Sequence, residues 1–108
     1  MENAEEIAAV EGIDTLFLGT DDLKIRIGMP IDTPVLKSGP LVSALARVAQ
    51  AAREAGKSAG CIAFGEELFR QSVDLGYQLV VGGCDKAFIH DCTRERIQSL
   101  RIVLGENA

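Results

Sequence analysis

Residues 5–28 read E-E-I-A-A-V-E-G-I-D-T-L-F-L-G-T-D-D-L-K-I-R-I-G, and the order of chemistry along this stretch decides the fold. A Glu- and Ala-rich helical run over residues 3–10 is closed by Gly12. A short, mostly apolar strand follows from Ile13 to Leu18, apolar on both faces as a buried parallel strand would be. The strand runs into a sharp turn carrying two adjacent carboxylates, Asp21 and Asp22. A carboxylate just past the C-terminal end of a parallel strand is where α/β barrels keep their reactive groups.

Outward from this stretch, Gly19 to Gly28 supplies the turn and one or two helical turns, and Met29 to Gly39 is a loop punctuated by Pro30 and Pro34. Gly39 suits an N-cap with Pro40 at the first helical position. Leu41, Leu45, Val48 and Ala52 then mark one apolar face, and Gly56 ends the helix. Ser58 to Phe64 reads as a second strand, Glu66 to Leu75 as a short helix stopped by Gly76, and Tyr77 to Val81 as a third strand. Past Gly82-Gly83, Asp85 is expected to cap a last helix in which Ile89, Arg96/Ile97, Leu100 and Leu104 recur at helical spacing. This alternation predicts a parallel sheet with right-handed crossovers. Three strands do not close a barrel, which takes about 250 residues. A free-standing flavodoxin-like domain is the other α/β solution, but it takes about five strands, and the chain has no G-x-G-x-x-G or Walker-type loop.

Composition narrows the partners. The chain has 108 residues, 47% apolar and 25% charged, with a net charge of −5, the profile of one soluble globular unit with a modest core. Acidic and basic residues are interspersed, and without a basic stripe nucleic acid is excluded as a partner. No apolar run approaches the roughly 18 residues of a membrane span. The acidic start, Met-Glu-Asn-Ala-Glu-Glu, lacks a signal-peptide layout. Cys61, Cys84 and Cys92 have no paired C-x-x-C spacing and read as reduced thiols of a cytoplasmic protein. Cys84, His90 and Cys92 match no common structural zinc spacing, so structural cysteines and a surface histidine are expected. Arg94, Arg96 and Arg101 read as a solvated face with Glu95.

The turn after the first strand resembles the HpcH/HpaI-type aldolases, class II metal-dependent pyruvate aldolases. Their pattern E-G-(I/V)-D-x-(L/V)-F-(I/L)-G-P-x-D-L stands here as Glu11 to Leu23. A-A-R-E-A-G-K-S-A-G at 51–60 resembles that family's helix leading into its seventh strand, and G-Y-Q-L-V-V-G-G-C-D at 76–85 its eighth strand and turn. The resemblance implies an α/β fold built of the C-terminal three βα units of a TIM (β/α)8 barrel. Residues 1–108 would then be a partial aldolase-like domain without the first five units. It implies Asp22 as a metal ligand, and Gly19, Asp21 and Asp22 as the binding turn for a pyruvate-like 2-oxo acid. The backbone N–H groups of Asp21 and Asp22 would receive the substrate carboxylate. The cofactor implied is a divalent metal, Mg²⁺, Mn²⁺ or Co²⁺, held by oxygen ligands, and the reaction is cleavage or formation of an aldol carbon–carbon bond.

Two positions depart from the pattern: Thr20 stands for the usual Pro, and Asp21 for a small residue. The second carboxylate opposes an anionic substrate unless a cation offsets it. The family's other ligand Glu, its substrate-binding Arg and its acid–base His belong to the missing units, and Glu2, Glu5 and Glu6 do not match that Glu. Read without the family motif, Asp22 also suits an N-cap. Gly82-Gly83 reads as a closely packed turn, a phosphate-binding loop being the alternative, and Lys24 and Arg26 are expected on the surface. Two functions follow: a metal-dependent lyase incomplete in this chain, or a non-catalytic half-barrel that serves as an interaction module. Open parallel edges make a homo-oligomer the expectation in either case.

Overall fold

Three of the apolar runs pair as parallel strands, β1 Thr15–Leu18, β2 Ser58–Ile62 and β3 Leu79–Val81, in the order β1-β2-β3. They belong to a computed structural model that describes residues 2–106. Five α-helices join them: α1 Ala4–Ala8, α2 Thr20–Arg26, α3 Gly39–Glu54, α4 Glu66–Asp74 and α5 Asp85–Val103, with a 3₁₀ turn at Val35–Lys37. Each strand is shorter than its apolar run because the flanking backbone is committed elsewhere. The N–H of Tyr77 bonds to the carbonyl of Ser72 (3.0 Å), finishing α4 rather than starting β3. Past Ala63, whose N–H bonds to the Val81 carbonyl (2.9 Å), the chain turns away at Gly65.

Helix ends follow side-chain chemistry. The N-cap of α3 is Ser38 rather than Gly39, because its Oγ accepts from the Leu41 N–H (3.4 Å), an acceptor that glycine lacks. Asp85 is the first residue of α5, not its cap. Its Oδ1 accepts from the Lys86 N–H (2.7 Å), and Cys84 stands at the cap position. Gly56 (φ +68°) and Gly76 (φ +91°) end α3 and α4 in the left-handed conformation that residues with a Cβ rarely adopt.

The core lies between one face of the sheet and α3. Leu16, Leu18, Ala59, Cys61 and Ala63 point to this side, and the expected stripe Leu41, Leu45, Val48 and Ala52 is buried against them. Alanines at 44, 49, 51 and 52 let the helix approach closely. Each buried leucine side chain contributes about 1.5–3 kcal/mol. The polar groups brought inside are satisfied. Tyr77 Oη donates to the Leu45 carbonyl (2.8 Å), and Ser72 Oγ donates to the Leu68 carbonyl (2.8 Å) while accepting from Cys61 Sγ (3.4 Å). Outside, α1 rides on α3 through Ala4 and Ala8, and Arg47 grips both carboxylate oxygens of Glu5 (3.0 and 2.9 Å).

The opposite face of the sheet is uncovered, so β1 is not buried on both sides as its sequence suggests. Phe17, Gly60 and Leu79 stand side by side in register, as do Ile62 and Val81. Phe17, Ile62, Phe64, Leu79 and Val81 are 37–50% exposed. The Phe17 ring lies over Gly60, where a Cβ would sit only 2.6 Å from its Cδ2. Helix α5 has no buried residue and stretches the molecule to 59 Å. The radius of gyration is 17.6 Å, against about 13 Å for a compact 100-residue domain. No helix among the described residues is long and apolar enough to cross a membrane.

Two expectations test the core. Tyr77→Phe removes a buried hydrogen bond without opening a cavity and is expected to lower stability by about 1 kcal/mol in urea denaturation. Burial pushes the Cys61 thiol up from its ordinary pKa, whereas Cys84 and Cys92 are exposed. A thiol reagent at pH 8 is therefore expected to modify Cys84 and Cys92 quickly, and Cys61 only on unfolding.

Candidate functional site

The end of β1 sets the site. Leu18 is buried under α3, and the chain turns at Gly19, the N-cap of α2, in an extended conformation (φ −84°, ψ 97°). Buried Thr20 then anchors the first turn of the helix. The first backbone bond of α2 runs from the Leu23 N–H to the Gly19 carbonyl (3.0 Å). The N–H groups of Thr20, Asp21 and Asp22 precede it and are left for an outside acceptor.

Asp22 is the third residue of α2, exposed, and its carboxylate folds back towards Gly19. A Cβ at residue 19 would lie 2.6 Å from Asp22 Oδ2, so only glycine leaves room for this carboxylate position. The N-cap of α2 is Gly19 and Asp22 is the third residue of the helix, so Asp22 is not the cap residue that the sequence also allows. Among the described residues, Asp22 makes no side-chain hydrogen bond to protein. A free carboxylate at a strand end is a hard oxygen donor open to solvent.

Asp21 faces away from that task. Its side chain is 70% exposed, and Oδ1 accepts from Lys24 Nζ at 3.0 Å. Lys24 is not the surface lysine that the sequence suggests. Its side chain is only 7% exposed, and Nζ also donates to the Ile31 carbonyl (3.0 Å). This ammonium offsets the extra carboxylate of the turn and ties the loop after α2 to the helix. The i,i+3 spacing of Asp21 and Lys24 was visible in the sequence, whereas the carbonyl of Ile31 was not. Arg26 is exposed, as expected. A cleft of about 630 Å³ opens beside this pair, lined among others by Thr20, Asp21, Lys24, Asp32, Phe64 and Glu66.

A divalent ion fits the chemistry of Asp22, but the rest of a coordination sphere is not here. Among the described residues no three His, Cys, Asp or Glu side chains converge on one point. Glu5 is occupied by Arg47, whose guanidinium holds its carboxyl below the usual range. The other candidates lie elsewhere. His90 is exposed on α5, beside Asp91 (3.1 Å) and Arg94 (3.4 Å). Gly83 carries the Phe88 ring where a Cβ would sit, 2.4 Å away, so this glycine serves close packing of the turn. Arg94, Arg96 and Arg101 are exposed with Glu95, forming the solvated face.

Comparison with known proteins gives one consistent result. The sequence model of the family described as HpcH/HpaI aldolase/citrate lyase matches residues 1–91. The hydroxypyruvate/pyruvate aldolase of Paraburkholderia phytofirmans is 32% identical over 101 residues, covering 94% of this chain and 38% of that protein. The crystal structure of an HpcH/HpaI aldolase/citrate lyase family protein from Burkholderia cenocepacia superposes with a TM-score of 0.78 at 32% identity, covering 93% of this chain and 38% of that one. An HpcH/HpaI aldolase from Desulfitobacterium hafniense shares the fold with a TM-score of 0.84 at 22% identity, over 99% of this chain and 40% of that one. The chain thus spans about two-fifths of these relatives, and its open parallel sheet is three βα units of their barrel.

Because the Asp22 side chain makes no hydrogen bond among the described residues, Asp22→Ala is expected to fold with stability within about 0.5 kcal/mol of the parent in urea denaturation. A loss of about 1 kcal/mol or more would instead reveal a capping role.

Proposed function

The chain belongs to the HpcH/HpaI aldolase/citrate lyase family, and from that premise we propose that residues 1–108 are the C-terminal part of a metal-dependent carbon–carbon lyase acting on a pyruvate-like 2-oxo acid. The observation that carries this reading is the Asp22 carboxylate. It stands past the end of β1, without a side-chain hydrogen bond among the described residues, over a glycine that leaves it room. Asp22 would hold one position of a divalent ion, Mg²⁺, Mn²⁺ or Co²⁺, whose Lewis acidity when bound stabilises the enolate of the substrate. A single carboxylate binds such an ion weakly, so the remaining ligands come from the units beyond this chain.

The chain's own residues bind and orient. Gly19 keeps space for Asp22, and the unpaired N–H groups of Asp21 and Asp22 receive the substrate carboxylate. That role needs donors fixed in place before substrate arrives. Lys24 supports it by cancelling the Asp21 charge from the protein side, so an anion meets one free carboxylate in the turn instead of two. The surface of α5, none of whose residues is buried, supports an oligomer as the working form.

The test is exchange of the pyruvate methyl protons for deuterium, followed by proton NMR on this chain completed with the remaining five units. Exchange that requires Mg²⁺ or Co²⁺, stops with chelator and falls at least about 100-fold in Asp22→Ala is the expected result. Exchange indifferent to metal, or to Asp22, would overturn the reading.

A further inference from the structure

We propose that the cleft beside the Asp21–Lys24 pair is the subsite for the aldehyde half of the aldol reaction, and that it takes a neutral aldehyde carrying hydroxyl groups. The inference rests on the lyase reading above and adds to it the class of the second substrate. Position comes first. The cleft lies past the C-terminal ends of β1 and β2, between the turn that holds Thr20 and Asp21 and the turn at Phe64 and Gly65. Asp22, assigned above to the metal, is the next residue after Asp21. A molecule in the cleft is therefore a neighbour of the enolate, as the second carbon partner of an aldol bond has to be. At about 630 Å³ the cleft has the size of a small-molecule pocket.

The chemistry of the walls selects the occupant. Lys24 lines the cleft with a side chain only 7% exposed. An ammonium has three N–H donors, and two are used, on Asp21 Oδ1 and on the Ile31 carbonyl, both at 3.0 Å. The third is left to an acceptor in the cleft, since a buried donor without one is costly. Helix α4 adds donors from the other wall. Its first backbone bond runs from the Phe69 N–H to the Gly65 carbonyl (3.1 Å), and it has no side-chain cap bond. The N–H groups of Glu66, Glu67 and Leu68 are thus unpaired within the helix. Acceptors stand among these donors. Asp32, Glu66 and Glu67 line the cleft, and their carboxylates make no ion pair or hydrogen bond among the described residues. With Asp21 balanced by Lys24, these three carboxylates face one further cation, Lys37. A hydroxyl both donates and accepts, so it answers both kinds of wall. A ligand ammonium offers Lys24 no acceptor. A ligand carboxylate or phosphate meets the excess of like charge.

The experiment titrates this chain with D-glyceraldehyde and, separately, with D-glyceraldehyde 3-phosphate, following backbone amides by NMR. Glycerol, which has the hydroxyls without the carbonyl, separates binding from imine formation on lysines. The expected result is saturable shifts of the amides of Thr20, Asp21 and Glu66 to Leu68 with D-glyceraldehyde, the same amides moving with glycerol. The phosphate ester binds at least about tenfold more weakly. Lys24→Met weakens the neutral aldehyde at least about tenfold. Because that side chain is buried, the deciding variants are Asp32→Lys and Glu66→Lys, both at exposed positions. Each narrows the preference for the neutral aldehyde at least about threefold, and together they reverse it. The proposal is overturned if the cleft amides do not move, or if the phosphate ester binds the parent chain as well as the neutral aldehyde does. A preference indifferent to both reversals overturns it too. The titration needs neither metal nor pyruvate, so its failure counts against the subsite alone. Cleft binding without metal-dependent exchange of the pyruvate methyl protons would count against the lyase reading alone.

Discussion

Alternate side chains of a β-strand leave the backbone on opposite sides, and everything in this molecule follows from covering only one of them. Leu16, Leu18, Ala59 and Cys61 meet α3, whose alanines allow a close approach. That contact fixes the register of β1 on β2 and aims the first turn of α2. The turn holding Asp21 and Asp22 is a by-product of this packing, since Leu18 must be buried before Gly19 can redirect the chain. On the other side the Phe17 ring lies over Gly60, and Phe17 and Leu79 stay about half exposed.

The charge balance of the turn follows the same logic at short range. Two adjacent carboxylates at a strand end invite repulsion, and the fold separates their fates. Asp21 is paired with a lysine whose stem is buried, and Asp22 is left open. Lys24 also accounts for the path of the following loop, because its second bond reaches a carbonyl seven residues on.

Much of this was legible in the residues. Periodicity located the apolar face of α3, and glycines marked the ends of α3 and α4, because both signals are local and one-dimensional. The motif around Asp22 pointed to the family that the comparisons show. What escaped was non-local or depended on what is absent. Lys24 looked exposed because its second partner lies in a loop. Ser38 was passed over for its neighbour because cap geometry shifts by one residue without changing the pattern. The apolar run of β1 suggested burial on two faces, which its sequence encodes and this chain, by itself, does not provide. Roles for Gly19, Asp21 and Asp22 in binding rest on the motif, since one carboxylate and a turn do not define a site.

The open sheet face also bears on how much of this protein a cell can keep. Apolar side chains and unpaired parallel edges are what quality-control chaperones and proteases recognise, and what drives unpartnered chains into aggregates. Any element that packs on this face withdraws the folded form from both fates, because burial of the apolar side chains and pairing of the edges remove the features that mark it.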